Sequence, residues 1–174
     1  MFRALKYIER ITDAIIQRAA FCTLAAMIAV ISAQIVARVW FSALSWSEEL
    51  ARYLLVWTSF LGAALAWQRG RHIAVGFLIE MLPSRLRQLC RALAALVAIA
   101  FFAVLIGVGV QYMKLQGFQV SASLRIPMPW IYSVIPFSAA VMLYYTLLDL
   151  LELFFERARD AEREALTARR ESSP

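Results

Sequence analysis

Four long runs of apolar residues dominate this sequence and limit what it can fold into. They cover about residues 19–41, 48–67, 92–113 and 130–150 of a 174-residue chain that is 62% hydrophobic. A helix rises about 1.5 Å per residue, so about 20 apolar residues cross a hydrocarbon core of about 30 Å. We therefore predict an all-α integral membrane protein with four transmembrane helices, which form one domain over residues 19–152. The runs and their loops leave no room for a sizeable soluble domain.

The two ends of the chain are polar and flank this predicted membrane domain. In residues 1–18, Phe2, Leu5 and Ile8 share one side of a helix, and Arg3 and Lys6 fall largely on the other. This pattern predicts an N-terminal amphipathic helix lying in the membrane interface. A secretory signal peptide is the competing interpretation, but the apolar run that follows is too long for one. Residues 153–174 predict a charged C-terminal helix that forms a cytoplasmic tail.

Basic residues are distributed unevenly among the ends and loops. Of the 18 Lys and Arg residues, 14 lie in the N-terminal arm, in the loop between the second and third runs, and in the C-terminal tail. The other two loops and the adjacent span ends hold 4. Because Lys and Arg concentrate on the cytoplasmic side, we predict a bacterial inner-membrane protein with both termini in the cytoplasm. The net charge of +6 then reflects topology and contact with membrane lipids, and does not indicate nucleic-acid binding.

The sequence offers no set of residues for catalysis, cofactor binding or metal binding. It has one histidine, His72, and two distant cysteines, Cys22 and Cys90, and it contains neither an HExxH motif nor a phosphate-binding loop. A carrier that works alone normally places an ionisable residue or a broken helix at the membrane midplane. The four apolar runs are uncharged at their centres. We therefore predict a protein that is not an enzyme, needs no cofactor, and braces another protein.

The candidate functional residues gather around the second run. Arg38, Glu48, Glu49 and Arg52 lie near one membrane interface, and Glu48 and Arg52 have the i,i+4 spacing of an ion pair. These charges can pair within the chain or dock a partner subunit, and the sequence leaves both interpretations open. Further along, small residues at four-residue intervals form a smooth strip that lets another helix approach closely. The candidate residues for a partner interface or a structural polar cluster are Arg38, Trp46, Glu48, Glu49, Arg52, Trp57, Thr58, Gly62, Ala66 and His72.

Several short motifs between residues 46 and 132 occur in the order found in a known protein family. The run from Trp46 to Trp57 (WSEELARYLLVW) is followed by FLGAA at residues 60–64, RGRHI at 69–73 and IPMPWIY at 126–132. Over roughly residues 15–150, the chain resembles the small membrane subunit of tripartite ATP-independent periplasmic (TRAP) transporters. The combination of motifs is more specific than any one of them.

The resemblance implies a set of partners and a transport role. A small TRAP subunit has four spans and forms a heterodimer with a larger membrane subunit, which holds the ion and substrate sites. A periplasmic solute-binding protein delivers an organic acid, such as a dicarboxylate or sialic acid, and a sodium gradient drives its uptake. On this interpretation the chain is a non-catalytic scaffold. The alternative from another class is a stand-alone oligomeric carrier or channel, which the charged cluster around Glu48 would serve.

Overall fold

The computed structural model describes residues 2–40, 44–70 and 84–151. The predictions for His72 and for the charged tail over residues 153–174 lie outside the described residues. Helices occupy nearly all of the described part of the chain. They are α1 (Phe2–Trp40), α2 (Ser45–Gly70), α3 (Ser84–Leu115) and α4 (Met128–Leu151).

Each of the four helices contains a stretch long and apolar enough to cross a bilayer. These stretches are Glu9–Trp40, Ser45–Gly70, Leu89–Leu115 and Met128–Leu151. The prediction of an all-α protein with four membrane-crossing helices is therefore confirmed. Each helix is longer than its apolar run, since polar residues next to the run are also helical. At α1 the extension is long, since the helix passes through residue 19 without ending and joins residues 2–18 to the span.

α1 packs against α2 along one stripe. Between Ile16 and Trp40, less exposed positions alternate four and three residues apart, which is the spacing of two helices lying side by side at a shallow angle. These positions are Ile16, Ala20, Thr23, Met27, Val30, Gln34 and Ala37. The stripe begins before residue 19 and continues unbroken into the span, which is a physical reason for the single long helix.

α2 and α4 lie side by side and point in the same direction. Trp57 contacts Ile131 near the start of α4, and ten residues later Trp67 contacts Thr146 near its end. Leu61 and Val134 are almost completely buried between these two contacts, together with Ile16 of α1. The core of the bundle therefore lies along α2 and α4.

α3 packs on α4 and also contacts α2 through Phe102. Phe102 is buried against Ala64 and Met142, and its ring meets that of Trp67 edge to face, with centroids 5.0 Å apart. Nearer the end of α3, Gly109 brings the helix so close to α4 that a Cβ on it would lie 3.1 Å from Cδ of Pro136. Glycine suits this position because a Cβ there would press against the proline ring.

α4 is interrupted near its start. Its first segment, Met128–Tyr132, ends at Ser133, and the helix resumes at residue 134. Pro136 has no N–H to offer the carbonyl of Tyr132, four residues earlier, so the regular ladder fails at this point. The amide of Phe137 bonds the Ser133 carbonyl at 3.2 Å and restores the helix.

Candidate functional site

The polar residues predicted to be functional lie mainly at one end of the bundle. We call this the loop end, and it holds the end of α1, the start of α2 and the α3–α4 loop, residues 116–127. Its central group is the carboxylate of Glu49, in the second turn of α2. This carboxylate accepts hydrogen bonds from the Tyr53 hydroxyl at 2.6 Å and from three successive backbone amides of the loop. Those amides are Ala122 and Ser123, at 3.1 and 2.8 Å, and Leu124, at 3.2 Å.

The loop is folded so that these amides converge. The Ser121 amide bonds the Ile126 carbonyl at 2.9 Å, and the Met128 amide bonds the Gln119 carbonyl at 3.0 Å, so the two sides of the loop pair like a short hairpin. Arg125 adopts a left-handed conformation, with φ of 53°, where the chain turns back. Successive amides that point to one side of a turn form a concave anion-binding surface. Glu49 fills this surface and thereby ties the α3–α4 loop to α2.

The neighbouring acid, Glu48, makes a different contact. Its Oε1 accepts a hydrogen bond from Nε2 of Gln34 at 3.1 Å, which joins α2 to α1. The structure thus gives an intrachain partner to both acids of the predicted cluster. An ion pair between Glu48 and Arg52, which their spacing allows, does not form in the described part of the chain.

The two basic residues of the cluster lack such contacts. Within residues 2–40, 44–70 and 84–151, neither Arg38 nor Arg52 makes a hydrogen bond or an ion pair, and both side chains are exposed. The two acids therefore brace the bundle internally, whereas the two guanidinium groups face its surroundings.

Of the two predicted tryptophans, one makes a contact within the bundle and the other is exposed. Nε1 of Trp57 donates to the Ile131 carbonyl at 3.1 Å, just before the interruption of α4, so this indole links α2 to α4. Trp46 is exposed in the first turn of α2. Trp67, which was not among the predicted site residues, donates to Oγ1 of Thr146 at 3.1 Å.

The predicted strip of small residues on α2 is only partly covered. Thr58 and Gly62 are half-buried, and Ala66 is exposed. A Cβ placed on Gly62 meets nothing within 4 Å among the described residues. Among the described residues the strip is therefore not a tight crossing point, and its role in packing against another helix stays a prediction.

Three contributors to the loop end were missed by sequence reasoning. Gln34 and Tyr53 are ordinary polar residues of apolar helices, and the amides after Ser121 belong to a backbone that carries no sequence signal. Only the acidic pair at the start of α2 pointed to this place. The resulting arrangement binds helices and loop to one another, and the described residues contain no cluster of side chains suited to holding a metal ion.

Sequence comparison assigns the chain to a transporter family. Residues 27–156 match the sequence model described as "Tripartite ATP-independent periplasmic transporters, DctQ component", over well above half of the chain. The chain belongs to this DctQ family. It is similar to the sialic acid TRAP transporter small permease protein SiaQ of Vibrio cholerae, with 30% identity over 153 residues that cover 86% of this chain and 87% of SiaQ.

Two relatives from Haemophilus influenzae align over smaller shares of their own length. A putative TRAP transporter small permease protein is 45% identical over 42 residues, which cover 24% of the DctQ-family chain and 26% of that protein. The sialic acid TRAP transporter permease protein SiaT is 29% identical over 120 residues, which cover 68% of this chain but only 20% of SiaT. The DctQ-family chain thus spans about a fifth of SiaT. Family membership and four apolar helices make it a multi-pass inner-membrane protein.

Proposed function

We propose that this DctQ-family protein is the small, non-catalytic scaffold subunit of a TRAP transporter. It supports a large membrane subunit in the sodium-coupled uptake of an organic acid, such as a dicarboxylate or sialic acid, which a periplasmic binding protein delivers. The observation that supports this most is the similarity to the small permease SiaQ, which extends over 87% of SiaQ.

The contacts at the loop end are consistent with a bracing role. The carboxylates of Glu48 and Glu49 are engaged with Gln34 and with the α3–α4 loop, so they are occupied in joining parts of the chain. A carrier that moved solute by itself would need ionisable groups free to bind and release cargo inside the bilayer. Between Tyr53 and Trp67, the middle of α2 carries no charged residue.

The alignment with SiaT supports a large membrane partner. A segment similar to this chain makes up a fifth of that single permease. We expect the remaining four fifths to correspond to a separate chain in the transporter to which this protein belongs. The proposal includes the orientation indicated by the basic residues, with both termini in the cytoplasm and the loop end facing the periplasm.

Reconstitution tests the proposal directly. The chain is expressed with the large permease subunit encoded beside it, purified through a tag on the small chain, and placed in proteoliposomes with the matching binding protein. We expect the two membrane chains to co-purify and uptake of an organic acid to require both chains, the binding protein and an inward sodium gradient. Uptake by the small chain alone would contradict the proposal and favour the stand-alone carrier. Failure of the two chains to co-purify would also contradict it.

A further inference from the structure

The outer surface of α1 holds an open recess toward the end of the bundle opposite the loop end. This α1 recess has a volume of about 440 Å³ and is lined by Ala14, Gln17, Arg18, Phe21 and Cys22. The five positions are related by spacings of three and four residues, so they share one side of the helix. The volume falls within the range of about 300–1,000 Å³ that small-molecule sites occupy.

The α1 recess faces away from the helices that α1 packs against. Ile16 is buried in the core beside α2 and α4. Arg18 follows Ile16 by two residues, which places it about 200° further around the helix, on nearly the opposite side. Its neighbour Phe21 is 70% exposed. The recess is therefore open to the surroundings of the described bundle.

The position of Arg18 along α1 places the recess at a membrane surface. Arg18 and Trp40 are 22 positions apart, which corresponds to about 33 Å along a helix. Trp40 ends α1 and is 77% exposed, and tryptophan is typical of the interface between membrane and water. Because a hydrocarbon core is about 30 Å thick, Arg18 lies at the level of the lipid headgroups of the opposite leaflet.

Arg18 has apolar side chains on both sides of it along the outer surface of α1. Ile11 and Ile15 precede it and Phe21 follows it, with exposed fractions of 42%, 60% and 70%. Arg69, another exposed arginine at this end of the bundle, differs because α2 ends one residue later. An exposed arginine between apolar groups lies where hydrocarbon and polar headgroups meet, with its stem in the first and its charge in the second.

The recess contains hydrogen-bond donors that the bundle does not use. Within residues 2–40, 44–70 and 84–151, the side chains of Gln17 and Arg18 make no hydrogen bond or ion pair. A guanidinium group binds a phosphate through two parallel hydrogen bonds. The ligand that fits this recess is therefore an anion with an apolar part that can contact Phe21.

We propose that the α1 recess binds an anionic phospholipid. The guanidinium group of Arg18 and the amide of Gln17 donate hydrogen bonds to the lipid phosphate, and an acyl chain runs past Phe21 into the hydrocarbon. The exposed residues one and two turns beyond Phe21 on this side, Ala25 and Ala29, are small and leave room for that chain. An anionic lipid suits the site better than a zwitterionic one, because the charge of Arg18 is unmatched. This lipid site is separate from the proposed transport role and does not depend on it.

Photoreactive phosphatidylglycerol tests the site on the full-length chain in nanodiscs. Irradiation followed by peptide mass spectrometry locates the adducts, which we expect within residues 14–29. Arg18→Gln should lower this labelling by about tenfold, because charge-assisted hydrogen bonds to the phosphate are lost. Arg69→Gln is the control, since it removes another exposed arginine at the same end, and it should leave the labelling of α1 nearly unchanged.

Three results of this experiment would overturn the proposal. One is equal labelling of α1 by photoreactive phosphatidylcholine, which would indicate ordinary contact with the bilayer. Another is labelling that does not respond to Arg18→Gln. The third is loss of the labelling when inorganic phosphate is added, because a free anion would then be the ligand that the recess selects.

Filling the recess gives a test that leaves every charge in place. Cys22 lines the recess and is exposed, and Ala94 is an exposed small residue near the same end of α3. Cys22→Leu should reduce labelling of α1 by phosphatidylglycerol, because the larger side chain occupies the space of the lipid. Ala94→Leu should have no such effect. Equal labelling of the two variants would count against a bound lipid in the recess.

A photoreactive amino acid at Cys22 identifies the occupant in native membranes. We expect a lipid adduct, seen as a mass increase on the peptide with no new band at the size of a protein complex. An adduct with another polypeptide, either the large subunit or a second copy of this chain, would overturn the lipid assignment while the proposed function stands. Failure of the two membrane chains to co-purify would contradict the proposed function and leave the lipid site unaffected.

Discussion

Replacing Gly109 by alanine should destabilise the bundle, whereas the same change at Gly107 should not. A Cβ on Gly109 would lie 3.1 Å from Cδ of Pro136 and 3.3 Å from both its nitrogen and Cγ2 of Ile135. A proline ring cannot turn aside, so the helices must separate, and overpacking of this kind costs about 1–3 kcal/mol. Replacing glycine by alanine within a helix also contributes about 0.5–1 kcal/mol of stability. The net effect at Gly109 is a loss of up to about 2.5 kcal/mol.

Gly107 provides the control, since a Cβ there meets nothing within 4 Å among the described residues. Gly107→Ala should therefore show only the helix gain, so the two variants differ by the packing cost of about 1–3 kcal/mol. For a chain of this size, 1 kcal/mol moves Tm by about 2–4 °C, which separates the variants by about 2–12 °C. Tryptophan fluorescence of the detergent-solubilised protein during heating measures this difference. Equal Tm values for the two variants would refute the close approach of α3 to Pro136.

Three further substitutions test other contacts of the bundle. Glu49→Gln should speed hydrogen exchange of the loop amides that this carboxylate binds, because a glutamine side chain offers a single acceptor oxygen. Glu48→Gln is the control and should leave that exchange unchanged. Similar exchange rates in both variants would contradict the role assigned to Glu49. Trp57→Phe should lower the free energy of unfolding by about 1 kcal/mol through loss of the bond to Ile131, measurable by denaturant titration, and an unaltered midpoint would count against that bond. Gly62→Leu should leave the isolated chain folded but lower its recovery with the large subunit, since no described residue occupies the space beside Gly62. Normal recovery would remove the packing argument for the strip.

The helices could be predicted from the sequence because a membrane span depends mainly on the length of an apolar run. A run of about 20 apolar residues must become helical in lipid to satisfy its backbone hydrogen bonds. The limits of the apolar runs do not mark the ends of the helices. α2 begins at Ser45 and α3 at Ser84, earlier than the apolar runs, because polar residues can continue a helix outside the hydrocarbon.

The sequence indicated where the polar cluster lies, but not which groups contact each other there. The charges around Glu48 drew attention to this end of the bundle, but the i,i+4 spacing of Glu48 and Arg52 is not matched by an ion pair among the described residues. Glu49 instead binds backbone amides 73–75 residues further along the chain. Backbone amides look identical at every position of a sequence, so only the folded loop reveals which of them converge on the carboxylate.

The hydrogen bonds of Glu49 also bear on the order in which the protein is assembled. A chain made from its N-terminus delivers α2 to the bilayer before the segment after Ser121 has been synthesised. Until the final pair of helices crosses, this acid has only Tyr53 and water as partners. We expect it to keep the start of α2 at the water boundary during synthesis, so that insertion of the last hairpin completes and locks the bundle.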